Sequence, residues 1–276
     1  MSERDEYPAG VPCWVATISP EPERAAAFYT ELFGWEAEDL TDGDASDRFF
    51  LFKLRGRAVA GAGSTPQGPG RPADAAWSTF VAVDSADDAV ARVAAAGGSV
   101  LMEPFDALEA GRVAVLADPA GAVFRVWQPR AAAGAQLINE PCAWSWSQLN
   151  TRDPDGARAF YETVFGWKAE RFEVGGGAIT LWSVPGYLGG EPEQPVSRDV
   201  VAGMAPMSDD AFPPGFPSHW SIDFWVADVD ETAGRAAALG GTVVAAPFDT
   251  SIARTAVLAD PQRAAFSISR VHGHRP

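Results

Sequence analysis

The sequence predicts an α+β protein built from a duplicated unit, with a largely antiparallel sheet in each copy. Two observations carry this. The first is an internal repeat, which has to be sought before elements are assigned because a missed repeat misassigns the whole fold. Trp14, Phe28, Tyr29, Phe33, Gly34, Trp35, Ala37 and Glu38 recur 132 residues later as Trp146, Phe160, Tyr161, Phe165, Gly166, Trp167, Ala169 and Glu170. Further along, Gly97, Gly98, Val100 and Pro104-Phe105-Asp106 recur at a shift of 143 as Gly240, Gly241, Val243 and Pro247-Phe248-Asp249, and Val115–Pro119 recurs as Val257–Pro261. The step from 132 to 143 is an insertion of 11 residues between Trp167 and Trp220, where PGYLGGEPEQP and SDDAFPPGFPSH are dense in Pro and Gly. The second observation is element order: each half reads β-α-β-β-β twice, and runs of strands after single helices argue for α+β and against a doubly wound sheet. An Ala-rich stretch from Arg130 to about Asn139 divides the chain into predicted domains 1–131 and 138–276.

The elements follow in order. A short apolar strand is expected at residues 12–18. Pro20 and Pro22 then precede a helix whose Ala25, Phe28, Tyr29, Leu32 and Phe33 form an i, i+3, i+4, i+7 stripe, closed by Gly34 where a left-handed residue is wanted. Strands follow at Phe49–Leu54 and Ala58–Ala62. The second unit opens with a strand at 77–83 and a helix over Asp87–Ala96 stopped by Gly97, then strands at Ser99–Met102, Arg112–Ala117 and Val123–Trp127. The second half repeats the scheme.

Composition narrows the function. The 276 residues carry 21 Lys plus Arg against 37 Asp plus Glu, a net charge of −16, and 47% are hydrophobic. A chain this acidic is repelled by phosphate backbones and anionic membrane faces, so nucleic acid and membrane are excluded as partners. MSERDEYPAG has neither the basic start nor the apolar run of a secretory signal, and no segment approaches 18 consecutive apolar residues. A cytoplasmic protein is expected. Cys13 and Cys142 lie in no Cys/His cluster and are read as reduced, structural thiols.

The order F-Y-x-x-x-F-G-W after a strand and helix, a helix ending in Gly-Gly, and a D-P-x-G strand resembles the vicinal oxygen chelate superfamily, which includes glyoxalase I, extradiol dioxygenases and bleomycin-resistance proteins. The resemblance covers Pro12–Gln128 and Pro141–Arg270. Val201–Met204 (V-A-G-M) and Pro217–Trp220 (P-x-H-W) are similar to stretches of its tandem two-domain, hydroxylase-like or glyoxalase-like branch. What this implies is four βαβββ modules paired into two half-open barrel domains, each curled around a cleft. Function stays open, because one fold hosts many chemistries.

In metal-using members His and Glu side chains hold an ion that polarises adjacent substrate oxygens. The resemblance puts those positions at Trp14, Ser78, Arg125 and a strand near Ala58–Ala62 in the first half, and at Trp146, Ser221, Ser267 and Val200–Met204 in the second. None is a ligand. No metal and no cofactor is expected.

Residues two apart on a strand share a face, so the ligand positions also mark the cleft-lining residues. The first cleft reads Trp14, Ala16, Ile18, Ala76, Ser78, Phe80, Ala82, Val123, Arg125 and Trp127: apolar, with one cation. The second reads Trp144, Trp146, Gln148, Asn150, His219, Ser221, Asp223, Trp225, Ala265, Ser267 and Ser269: aromatic-walled and polar. His219 and Asp223 are its only imidazole and carboxylate, candidates for acid and base near neutral pH. Against this, four residues along a strand span about 13 Å, too far for a direct bond, and the resembling branch also has an H-W pair at this place, which implies the alternative that His219 fixes the strand entry. Trp144, Trp146 and Trp225 either wall a flat ligand or pack on one another. Arg125 either holds a carboxylate or phenolate, or pairs with a Glu or Asp. Trp35, Trp77, Trp167 and Trp220 are expected in the core, and His272 and His274 in an incidental tail.

Three functions are compatible with this. The favoured one is a metal-free small-molecule binding protein for a hydrophobic, aromatic or polyketide-like ligand, held by Trp144, Trp146, Gln148, Ser221, Trp225, Ser267 and Arg125, with the Pro185–Ser218 insertion as a lid. The second is a metal-independent hydroxylase-like or isomerising enzyme using His219 and Asp223. The third is a divalent-metal lyase or dioxygenase. Tandem halves suit a monomer, with a homodimer also open.

Overall fold

The computed structural model describes residues 3–41, 48–64, 75–174, 177–189 and 196–272. The first half holds β1 (Pro12–Ser19), α1 (Pro22–Phe33), β2 (Glu36–Asp39), β3 (Phe49–Leu54), β4 (Arg57–Ser64), β5 (Ala76–Ala82), α2 (Ala86–Ala95), β6 (Ser99–Ala107), β7 (Gly111–Ala117) and β8 (Val123–Pro129). The second repeats them as β9 (Trp144–Thr151), α3 (Pro154–Phe165), β10 (Lys168–Val174), β11 (Gly177–Ser183), β12 (Val200–Pro206), β13 (His219–Trp225), α4 (Val229–Ala238), β14 (Thr242–Asp249), β15 (Ala253–Ala259) and β16 (Ala265–Val271). Each half is one eight-stranded mixed sheet, ordered β2-β3-β4-β1-β5-β8-β7-β6 and β10-β11-β12-β9-β13-β16-β15-β14. Two βαβββ modules thus join edge to edge through the antiparallel pairs β1–β5 and β9–β13, while β1–β4 and β5–β8 run parallel. The fold is α+β, two half-open barrel-like sheets.

Local chemistry sets the helices. Pro22 occupies the first turn of α1, and Gly34 ends it at φ 70°, matched by Gly166 at φ 73° after α3; a side chain with a Cβ is strained in that left-handed conformation. The other starts are capped: Ser85 accepts from the Asp88 amide, Asp153 from Gly156 and Asp228 from Glu231.

The helices α1 and α3 lie between the two sheets. Phe28, Tyr29 and Phe33 of α1 touch Phe52 and Trp77 of their own half and Phe224 and Phe266 of the other. Tyr161 of α3 likewise meets Trp167, Trp182 and Trp220, and reaches back to Phe124. Trp35, Trp77, Trp167 and Trp220 are buried in this shared core. At its centre Thr79 and Ser147 hydroxyls bond at 2.7 Å. Among the described residues no helix is long and apolar enough to cross a membrane.

The structure departs from the sequence reading in two elements. β2 is a strand of four exposed residues, EAED, with no apolar alternation to betray it. The segment Pro185–Ser218, read as a lid, contains β12, which pairs parallel with β9 and buries Ala202 and Met204; it is part of the sheet. Residues 190–195 of that segment and His274 lie outside the described residues.

Candidate functional site

Each sheet turns one face to the shared core and the other outward into its curl. On the second sheet the outward face is built from β9, β13 and β16. Antiparallel register sets Trp146 opposite Asp223, Gln148 opposite Ser221 and Asn150 opposite His219, while β16 runs parallel with Ser267 beside Asp223 and Ser269 beside Trp225. Trp146, Gln148, His219, Ser221, Asp223, Trp225 and Ser267 are all partly exposed, so the face is open. The Trp146 indole lies over β12, where a Cβ on Gly203 would come within 2.8 Å of it. Glycine there lets the ring lie down on the sheet.

Asp223 is the most unusual group on this face. Its Oδ1 accepts from Ser145 at 2.9 Å and from Ser269 at 2.5 Å. Its Oδ2 bonds no described residue. Burial pushes its carboxyl up to about 6, and the two serine hydroxyls only partly oppose that shift. One oxygen is therefore anchored and the other presented, on a group that changes charge close to neutral pH.

Ser145 was missed in the sequence because strand alternation aims it away from the cleft. A bulge in the β9–β13 register between Asp223 and Phe224 breaks that alternation. Ser145 thereby reaches both the carbonyl and the carboxylate of Asp223. The first half repeats the bulge, with Cys13 Sγ reaching the Phe80 carbonyl at 3.6 Å. The bulge also corrects Trp144: it pairs with Phe224, which faces inward, and is buried in the core instead of walling the cleft.

His219 is not brought to Asp223. Its Nδ1 lies 3.0 Å from the Pro217 carbonyl and its Nε2 3.4 Å from Asn150 Nδ2, so Nδ1 donates and Nε2 accepts. Phe212 and Phe216 pack edge-on against the ring, and burial lowers its proton affinity. Asn150 also donates to Ser221, and Gln148 to Asn150. This end is a closed polar network. His272, just past β16, is tied to the Thr250 carbonyl.

The first sheet's outward face is different in kind. Trp14, Ser78, Phe80, Arg125 and Trp127 are all buried, with Trp14 opposite Phe80 and Arg125 beside it. Arg125 has no carboxylate partner among the described residues; its guanidinium sits 5.5 Å over the Phe80 ring. A separate crevice of about 210 Å³ lies where α2 begins and α3 ends, lined by Asp84, Ser85, Asp88 and Arg92, away from both faces.

Paired βαβββ modules in two curled sheets define the vicinal oxygen chelate fold, here in tandem. The chain matches the Glyoxalase/Bleomycin resistance protein/Dioxygenase superfamily over residues 14–126 and a Glyoxalase-like domain over 146–269, and it belongs to that superfamily. Along nearly its whole length it is similar to two curated relatives. CFP32 of Mycobacterium tuberculosis, provisionally named a glyoxylase, is 38% identical over 271 residues, covering 97% of each chain. The anthracycline biosynthesis protein DnrV of Streptomyces peucetius is 35% identical over 273 residues, covering 95% of this chain and 94% of that one. Among solved structures, the Mn(II)-bound glyoxalase from Novosphingobium aromaticivorans shares the fold at a TM-score of 0.59 and 18% identity, over 95% of this chain and 82% of that one.

The residues at the positions that the resemblance gives to metal ligands do not suit a divalent ion. Trp14 and Trp146 offer indoles, and Arg125 offers a cation of the wrong sign. Asp223, the carboxylate opposite Trp146, already accepts two hydroxyl donors on its Oδ1. Among the described residues no three His, Cys, Asp or Glu side chains gather anywhere.

Proposed function

We propose that the chain binds a flat, hydroxylated aromatic molecule of polyketide type on the open face of its second half, without a metal. The observation that carries this is Asp223: a carboxylate anchored through Oδ1 by Ser145 and Ser269, with Oδ2 free, between two part-exposed indoles, Trp146 and Trp225. Indole faces suit planar ligands through stacking and area burial, and a single well-placed acceptor fixes their orientation. A ligand hydroxyl donates to Oδ2, with Gln148, Ser221 and Ser267 as neighbouring polar contacts. DnrV's name ties it to anthracyclines, which are molecules of this shape. Fluorescence titration with emodin, a hydroxyanthraquinone, tests the proposal: saturable quenching at one ligand per chain supports it, and no quenching up to the solubility limit defeats it.

A second reading is favoured by the Asp223 carboxyl lying near 6. A group of that acidity moves protons efficiently at cellular pH. In this reading Asp223 alone, and not a His219–Asp223 pair, takes or gives a proton on the bound ligand. Mass spectrometry of ligand recovered after incubation separates the two: unchanged ligand indicates a binder, and an isomerised or hydrated product that disappears in Asp223→Asn indicates an enzyme.

A further inference from the structure

We infer that the first half carries a second, independent ligand site, in which Arg125 takes the carboxylate of an aryl acid. Four observations carry it. Arg125 is only 9% exposed, yet it forms no hydrogen bond or ion pair with any described residue, and its Nε is sealed from solvent without a partner. Buried cations are ordinarily paired, because the interior does not replace the water they lose. Among the described residues its guanidinium is met by the Phe80 ring, 5.5 Å away, and by no anion. Desolvation, with no nearby carboxylate to oppose it, draws the guanidinium down to about 10, so it stays charged at neutral pH.

The surroundings specify the occupant. Trp14, Phe80 and Trp127 give the face aromatic walls, and Val113 and Val115 of β7 lie opposite Trp127 and Arg125. Ser78, two residues before Phe80 on the same face, carries a hydroxyl that bonds no described residue and supplies a further donor. The planar guanidinium fork matches a carboxylate with two parallel hydrogen bonds, a geometry that one phenolate oxygen cannot reproduce. An apolar, flat body bearing a carboxylate therefore satisfies the orphaned cation and the aromatic walls together. The two halves have reversed polarity at matching strand positions: Phe80 and Arg125 in the first stand where Asp223 and Ser267 stand in the second. One face is built for an anion, and the other for a hydrogen-bond donor.

The inference does not rest on the reading of the second face, and its test keeps them apart. Benzoate is titrated calorimetrically in low-chloride buffer into the full chain and into Arg125→Met, Ser78→Ala and Asp223→Asn, with benzyl alcohol as the neutral analogue. Expected is binding at one benzoate per chain, weakened about tenfold or more by Arg125→Met and by the loss of charge in benzyl alcohol, and unchanged in Asp223→Asn. Arg125→Met removes an unpaired buried charge while keeping much of the side chain's volume, so its melting temperature without ligand should equal or exceed that of the parent, and benzoate should raise only the parent's. Absence of benzoate binding to the parent overturns the inference, as does binding that survives in Arg125→Met. Emodin binding retained in Arg125→Met leaves the second-face reading standing whichever way benzoate behaves.

Discussion

The phenol of Tyr29 donates to Oδ2 of Asp260 at 3.2 Å, and Tyr161 makes the same bond to Asp118 at 3.2 Å with the halves exchanged. Each tyrosine oxygen also accepts from an indole, Trp77 at 2.8 Å and Trp220 at 2.9 Å. The two motifs that recur most visibly in the sequence, Phe-Tyr and Asp-Pro, therefore meet each other across the halves. They fasten the fold and take no part in either ligand face. Removing one hydroxyl strands a buried indole N–H and a buried carboxylate oxygen. Tyr29→Phe and Tyr161→Phe should each cost about 1–3 kcal/mol in urea unfolding, without altering emodin affinity.

Neither half should fold by itself. α1 buries Phe28 and Phe33 against Phe224 and Phe266, so residues 1–131 alone would expose the aromatic stripe of α1 and leave Tyr29 without Asp260. Expressed separately, 1–131 and 138–276 should each be aggregated or lack a cooperative melting transition, and co-expression should recover a soluble complex. A cooperative transition in one isolated half would contradict the shared core.

Asp223 makes stability depend on pH in a definite sense. Its carboxyl lies at about 6 folded, against an ordinary value near 4 unfolded. Between those values the folded state holds more protons than the unfolded, so this group's contribution falls as pH rises from about 4 to about 6 and is constant above. Asp118 and Asp260, also raised by burial, act in the same direction, so the difference between parent and Asp223→Asn isolates the one group. Asp223→Asn should be the more stable of the two at pH 7.5, by at most about 3 kcal/mol, and the gap should close towards pH 4 in parallel thermal melts. A gap that is flat with pH would remove the raised carboxyl from the account.

Metal should be immaterial to this chain. With indoles and a guanidinium at the family's ligand positions, protein purified without a tag should hold far less than one Mn, Fe, Ni, Zn or Co per chain by elemental mass spectrometry. Added ions should leave its melting temperature unchanged. One ion per chain would return a lyase or dioxygenase mechanism.

The fold was legible in the sequence because duplication doubles every signal: helix stripes, the glycines ending α1 and α3, and the Asp-Pro turns each occur twice. β2 escaped because its four residues face solvent and carry no period. The resemblance puts Val200–Met204 at a strand position, and β12 forms there; the Pro/Gly-rich runs on either side are what made the whole of Pro185–Ser218 read as a lid. Asp223, Trp146, Gln148, Ser221, Trp225 and Ser267 share the face that alternation gave them, since alternation holds wherever pairing is regular. It failed at the bulge, where Trp144 turns into the core and Ser145 turns to Asp223. A bulge leaves no mark in a single sequence. The separation of His219 from Asp223 was measurable by counting residues; what counting could not show was that Pro217, Asn150, Phe212 and Phe216 already occupy the ring.

The most direct test of the central claim is the dissociation constant of emodin for the parent, Trp146→Ala, Asp223→Asn and Trp14→Ala, measured between pH 5 and 8. Emodin should bind the parent more tightly as pH rises through about 6, where Asp223 becomes an acceptor. Trp146→Ala should weaken it about tenfold through lost stacking. Asp223→Asn should abolish the pH dependence, and Trp14→Ala, on the other face, should leave affinity unchanged. Equal affinity in the parent, Trp146→Ala and Asp223→Asn at every pH would place the ligand elsewhere and contradict the assignment of the second face.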